Sequence, residues 1–293
     1  MQIKLYISDQ QAVNSYTNIF SFTNTMCYEK ICVVKIVRRK RRDTVNIIDM
    51  HTHCNCGLKN DCPENELHKR NFDFLMKEYE NAGITAGVFS YYSAIFGTDE
   101  VYESNELLFK QAQSDDRVYQ WLVLDPRQGD LFPQIKGKIN NKKVFGIKIQ
   151  SKTQNYDILE YADKIFSFAN ELKCFVLMHP DKVSSMVSFA DKYPDMNLII
   201  AHLSSVDYVD AIKNAKHGNI YTDTSGMDSR LNNIVEYAVE RIGSEKIFFG
   251  TDTYSCGFQR GRIEYARIRD IDKENIFFNN AKQHFESKLL SLF

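Results

Sequence analysis

No stretch of this 293-residue chain approaches the roughly 18 consecutive apolar residues of a membrane span. The longest apolar runs, such as Ile31 to Val37, meet a charge within a few residues. Nor is there an excess of charge of one sign. The 37 Lys and Arg face 38 Asp and Glu, a net charge of -1, so the molecule as a whole has no field that would draw it to nucleic acid or an anionic membrane. Met1 to Ser8 lack a basic segment followed by an apolar one, and no secretion signal is expected. The seven cysteines are odd in number and follow no framework spacing, the usage of reduced thiols in a soluble cytoplasmic protein. Low-complexity tracts are missing too. What is present, 43% hydrophobic and 26% charged residues, is ordinary globular composition, enough for two domains or for one α/β barrel of roughly 250 residues.

Charge is uneven along the chain. Residues 1–44 carry eight basic and three acidic side chains, +5, which leaves -6 for the remainder. This places a boundary near Thr44, with a short β-rich extension before it, a β-hairpin or flexible arm built on Met1 to Ile7 and Ile31 to Val37. From Val45 onward, short β-branched or apolar runs alternate with longer helical segments. The runs are Val45 to Met50, Ala86 to Tyr91, Tyr119 to Leu124, Val144 to Ile149, Cys174 to Met178, Asn197 to Ala201, Asn219 to Thr224 and Lys246 to Gly250. Helices are predicted over Glu64 to Asn81, Tyr156 to Leu172, Val183 to Tyr193, Asp228 to Ile242 and Asn275 to Phe285. Eight such units, recurring about every 29 residues over 45–293, are what a (β/α)8 TIM barrel requires. A doubly wound sheet, the alternative, would usually have fewer strands and would not need chemistry at the end of nearly every one.

Active sites of a barrel lie at the C-terminal ends of its strands, and the histidines meet that demand. The first run continues into His51-Thr52-His53, whose alternating side chains put both imidazoles on one side. His179 follows the fifth run, His202 the sixth and Asp252 the eighth. Nitrogen and carboxylate ligands of this kind suit Zn²⁺, and also Mn²⁺, Fe²⁺ or Co²⁺. His68, His217 and His284 fall in helical or loop segments and read as solvated.

His-x-His after strand 1, His after strands 5 and 6, and Asp after strand 8 resemble the amidohydrolase superfamily in order. The phrases Ile48-Asp49-Met50-His51-Thr52-His53, Gly146-Ile147-Lys148, Ile200-Ala201-His202, Phe249-Gly250-Thr251-Asp252 and Asn280-Ala281 are similar to its amidohydrolase-related branch. The resemblance implies that His51, His53, His179 and Asp252 hold one catalytic divalent ion, zinc first, and that His202 is a supporting or second-metal residue. It also implies that Asp252 moves the proton of an activated water and that His202 or the metal stabilises the resulting oxyanion.

Lys148, beside Gly146 in the fourth strand, has three open roles: an ammonium facing an anionic substrate, a carboxylated ligand bridging two metals as in several superfamily members, or a structural salt bridge. The first is preferred, because the branch resembles mononuclear enzymes and a second metal is not expected. Cys54, Cys56 and Cys62 invite a thiolate-metal reading, but no second paired spacing follows, and a lid loop is the simpler assignment. The basic cluster Arg38 to Arg42 reads as a solvated edge. Tyr91, Tyr92, Asp125, Arg127, Ser225, Arg230, Tyr254 and Arg260, just past other strands, are candidates to shape the substrate pocket.

The expected activity is metal-dependent hydrolysis of a C–O or C–N bond in a small-molecule substrate, with non-oxidative decarboxylation second and an idle ligand-binding barrel third. No nucleic-acid or membrane partner is expected, and a homodimer is left open. Because the barrel is complete from Val45, deleting residues 1–43 should leave a folded protein that still binds metal, measured by circular dichroism and metal content. Insoluble or metal-free protein would show that the extension plugs the barrel or covers a strand edge.

Overall fold

Runs of Val, Ile, Leu and aromatic residues buried on both faces form eight parallel strands in the computed structural model, which describes residues 46–180 and 182–289. They are β1 (Ile48–Cys54), β2 (Ala86–Tyr91), β3 (Val118–Val123), β4 (Val144–Ile149), β5 (Phe175–Met178), β6 (Asn197–Ile200), β7 (Ile220–Asp223) and β8 (Ile247–Phe248). Each pairs with the next in chain order, with helices in the connections, so the predicted (β/α)8 barrel is the fold. Between β8 and β1 there is no regular ladder, but Met50 N–H donates to the Phe249 carbonyl at 2.8 Å and Asp252 N–H to the His51 carbonyl at 2.8 Å, bringing the sheet nearly to closure. The extension expected over residues 1–44 lies outside the described residues. Among the described residues no helix is long and apolar enough to cross a membrane.

The elements depart from expectation in ways that matter for the site. β1 begins at Ile48 rather than Val45 and runs through His51 and His53 to Cys54, so both histidines lie on the strand, as their alternation requires. Its register with β2 steps from Asp49↔Gly87 to Thr52↔Phe89, one extra residue in β1, which is a β-bulge. Ile48 and Met50 therefore join the barrel interior below, and His51 and His53 take the inward side above. The carbonyl of Met50 is taken by the indole N–H of Trp121, the chain's single tryptophan, at 2.8 Å. Gly146 makes room for that ring: a Cβ there would lie 2.6 Å from Trp121 and 2.2 Å from the Phe175 carbonyl oxygen.

The first helix spans Phe72–Ala82 instead of starting at Glu64, capped by the Asn71 side chain and ended by Gly83 in the left-handed region. Residues 55–71 are a pinned loop, in which Asn55 brackets the backbone of Cys62 and Glu64 accepts from Arg70 N–H at 2.8 Å. The helix expected from Asp228 begins at Ile234, and the last helical segment is a π turn, Asn275–Asn279, leading into Asn280–Leu289.

That last helix closes the floor of the barrel. Phe285 stacks on Phe145 with ring centroids 4.2 Å apart and lies 4.8 Å from Phe175. Lys288 Nζ donates to the carbonyls of Ile139, Asn141 and Val144. His284, expected to be solvated, is half-buried against Phe175 and Tyr221, because the helix turns that face inward. Floor and mouth are separate regions, as is usual in this fold. Phe285→Ala should lower stability by about 3–5 kcal/mol without changing metal content. Denaturant melts paired with metal analysis would check this, and a loss of metal at unchanged stability would contradict it.

Candidate metal centre

The mouth of the barrel gathers side chains from five strands or the residues just after them. His51 and His53 come from β1, Lys148 from β4, His179 from the end of β5, His202 from beyond β6 and Asp252 from beyond β8. Close approach of the β8 segment is allowed by Gly250, where a Cβ would sit 3.0 Å from His51 Cβ and 2.9 Å from Ser225 Cβ. His202 and Asp252 are non-glycine residues held at φ 65° and 56°, in the left-handed region. Such strain persists only where surrounding bonds over-determine it. Here Asp252 N–H bonds to the His51 carbonyl, and Thr253 Oγ1 accepts from His53 N–H at 2.8 Å.

Three imidazoles are oriented from behind. His51 Nδ1 lies 2.9 Å from Asp223 Oδ2, His53 Nδ1 lies 3.0 Å from the Ser90 carbonyl and His202 Nδ1 lies 2.8 Å from the Ser225 carbonyl. Each acceptor fixes the proton on Nδ1 and leaves Nε2 unprotonated, with the Lys148 ammonium 2.8 Å from that of His51. Those nitrogens converge: His51 and His53 Nε2 are 3.2 Å apart, as are His179 and His202 Nε2. Asp252 Oδ1 is 3.4 Å from His53 Nε2. Unprotonated nitrogens this close repel one another unless a cation lies between them. Two nitrogens at roughly 2.0–2.1 Å from a tetrahedral ion are about 3.4 Å apart. Among the described residues two groups have metal-ligating atoms within 4.8 Å of one another, His51 with His179 and His202, and His51 with His53 and Asp252. The donor set therefore fits a divalent ion.

Electrostatics agree with ligand chemistry. Burial, reinforced by the Lys148 cation, pushes His53 down to about 3 and holds His51 and His179 well below the ordinary imidazole value, so all three are neutral at pH 7. Burial lifts the Asp252 carboxyl to about 6 against the pull of His202 and Lys148. Lys148 is fully buried, which lowers its ammonium to about 8 with Asp252 and Asp223 opposing, and its Nζ is 2.8 Å from His51 Nε2.

Asp223, at the end of β7, was not among the expected residues, yet it organises the site. Besides His51 Nδ1 it receives Ser225 N–H at 2.9 Å, His202 N–H at 3.2 Å and the Ser225 hydroxyl. Its sequence signal was the polar run Thr222-Asp223-Thr224-Ser225 closing a strand, of which Ser225 alone had been singled out. Of the other expected pocket residues, Tyr92 lies at the site, its ring 5.3 Å from His53 and stacked on Phe96 at 5.6 Å. Arg70, also not anticipated, stands over Tyr92 at 6.0 Å. Asp125 and Arg127 form a 2.7 Å ion pair beside a shallow 370 Å³ cavity that has no lining residue in common with the metal centre. Arg230 is exposed and paired with Asp228, and Tyr254 is half-exposed.

Two expectations are corrected. Tyr91 points away from the mouth and bonds Gln111, because the side chain at the end of β2 faces the helix layer. Arg260 lies on the outer helices, held by Glu264 and the Ala82 carbonyl. Cys54 at the end of β1 and Cys56 and Cys62 in the loop after it stay thiols, burial raising all three, and Cys56 Sγ contacts Ser93 Oγ at 3.2 Å.

With this geometry in hand, the Amidohydrolase family model matches residues 48–285. Solved structures similar to the chain include 2,6-dihydroxybenzoate decarboxylase from Rhizobium, at 15% identity and TM-score 0.65 over 83% of this chain and 99% of that one. A dihydroxybenzoic acid decarboxylase from Polaromonas sp. JS666, with bound manganese and the inhibitor 2-nitroresorcinol, matches at 14% identity and TM-score 0.63 over 82% and 97%. A probable 2-pyrone-4,6-dicarboxylic acid hydrolase from Acinetobacter baumannii, with citric acid bound, matches at 15% and TM-score 0.58 over 82% and 99%. No curated protein gives a significant sequence match.

Removing the charge behind His51 should weaken the site without unfolding it. Asp223→Asn is expected to lower divalent-metal affinity by about 10–100-fold, measured by chelator competition, with an unchanged circular dichroism spectrum. Wild-type affinity in this variant would contradict the orienting role.

Proposed function

Because this chain belongs to the Amidohydrolase family, we propose that it is a divalent-metal-dependent enzyme that hydrolyses a C–O or C–N bond, in a lactone, ester or amide, of a small molecule. The observation that carries this reading is the pair of ligand groups that share His51 at the mouth, His51 with His53 and Asp252 and His51 with His179 and His202, in which His51, His53 and His179 are neutral. His51, His53, His179 and Asp252 would hold one ion, zinc in the first instance and manganese, iron or cobalt as alternatives. Such an ion, when bound, brings the pKa of water from 15.7 towards roughly 7 and polarises a carbonyl oxygen.

The chain's own groups supply the rest. Asp252, whose carboxyl burial lifts to about 6 in the metal-free site, is the carboxylate placed to take a proton and return it to a leaving group. Lys148, a buried ammonium, offers a point charge to an anionic substrate group. His202 spends its Nδ1–H on Ser225, so it donates to a developing oxyanion only as an imidazolium and otherwise offers Nε2 as a further ligand.

A second reading, non-oxidative decarboxylation of an aromatic acid, is favoured by the stacked Tyr92 and Phe96 beside His53, a wall suited to a planar ring. One experiment separates the two: turnover of lactones, amides and carboxylated aromatics in ¹⁸O-labelled water by protein loaded with one equivalent of metal. Hydrolysis places label in the product acid or alcohol, and Asp252→Asn should slow it by at least ~10²-fold. Carbon dioxide release with no label in the organic product would establish the second reading. Full metal retention after His51→Ala with His53→Ala would overturn both.

A further inference from the structure

We infer that Tyr79, on an outer helix, is a positioning residue that sets the distance between the β1 and β8 sides of the metal centre through the Asp49 carboxylate. The inference rests on the metal reading above. It starts from the seam where the barrel closes. The described ladders run from β1 to β8, and β8 is only two residues long, so the ligands His51 and His53 on one side and Asp252 on the other are not held together by a continuous ladder. The Phe249 N–H, in the β8 segment, turns to the Ile276 carbonyl of the π turn at 3.0 Å.

Asp49 spans that gap. On the β1 side the bulge turns His51 N–H to Asp49 Oδ1 at 3.1 Å. On the β8 side Asp49 accepts from Thr251 N–H at 3.0 Å and from Thr251 Oγ1 at 2.5 Å. Those donors belong to one ligand and to the residue before another. The remaining donor is the Tyr79 hydroxyl, 2.6 Å from Asp49 Oδ2, which comes from helix Phe72–Ala82 and so from outside the seam.

The path for that hydroxyl is built into the sheet. Gly87 is the register partner of Asp49, and a Cβ at Gly87 would lie 2.4 Å from Tyr79 Oη. The helix is itself tied to the segment after β8, because Arg260 of helix Cys256–Glu264 donates to the Ala82 carbonyl. Asp49 and Tyr79 are both fully or almost fully buried, so water does not substitute for the lost donor. Without the hydroxyl, Asp49 Oδ2 keeps only the Thr251 Oγ1 donor, the carboxylate is less firmly fixed between its seam partners, and ligand spacing, which must hold to about 0.5 Å, loosens with it.

The test compares Tyr79→Phe with Tyr91→Phe, which deletes another buried hydroxyl whose bond runs to Gln111, away from the seam. The readouts are Co²⁺ affinity by chelator competition, the visible spectrum of the Co²⁺ protein, and amide exchange at Met50, Thr251 and Asp252 in metal-free protein. Tyr79→Phe should bind Co²⁺ at least about 10-fold more weakly, alter its spectrum and exchange those amides faster. Tyr91→Phe should match wild type in all three. Wild-type affinity and spectrum in Tyr79→Phe, or equal weakening in both variants, would overturn the inference. If wild-type protein binds no divalent ion, the metal reading fails, and unchanged exchange at the three amides in Tyr79→Phe would then sink the seam role independently.

Discussion

The hydrogen bond between His51 Nδ1 and Asp223 is the constraint on which the barrel mouth depends. It fixes the tautomer of the most buried imidazole and so decides that Nε2 faces the other ligands as a lone pair rather than as a donor. The backbone carbonyls of Ser90 and Ser225 do the same for His53 and His202. Without these acceptors, a set of histidines buried beside a lysine would be a cluster of mutually repelling groups. With them it is a set of neutral ligands, whose preference for a cation is stronger in a low-dielectric pocket than it would be in water.

The rest of the fold serves this arrangement by division of labour. The floor is apolar and aromatic, closed by Phe285 and by Lys288 on the carbonyls leading into β4, and it needs nothing from the mouth. Between the two regions, Trp121 satisfies the carbonyl of Met50 at the bulge, where the chain changes side to bring His51 and His53 inward. At the mouth, His202, Asp252 and Thr253 take left-handed backbone, where the chain leaves a strand and must aim a side chain back over the barrel. The bonds from the Asp252 loop to His51 and His53 are what hold it there.

Much of this was legible in the sequence because barrel strands are buried on both faces and stand out as apolar runs, each ending where its chemistry begins. His179 follows β5 directly and His202 lies one residue beyond the end of its predicted run, so their places could be read off. What was not legible depended on side chains meeting across the chain. The bulge in β1 has no local signature, since Asp49-Met50-His51 reads like any strand. Asp223 carries no such signal, because a carboxylate at a strand end resembles a turn residue and its partner is a histidine 172 positions away. The stretch from Glu64 to Arg70 is rich in helix-compatible residues, yet Asn55 and Glu64 tie it into a loop by bonds that no periodicity reports. Tyr91 and Tyr92 are neighbours with opposite fates, because β2 ends between them and the following residue faces His53.

X-ray absorption at the metal edge of zinc-loaded protein tests the central claim most directly. The account predicts a first shell of nitrogen and oxygen alone at roughly 2.0–2.1 Å, with the outer-shell scattering of two or more imidazoles. Sulfur scattering at roughly 2.3 Å, from the cysteines of the β1 loop, or a shell without imidazole, would contradict it.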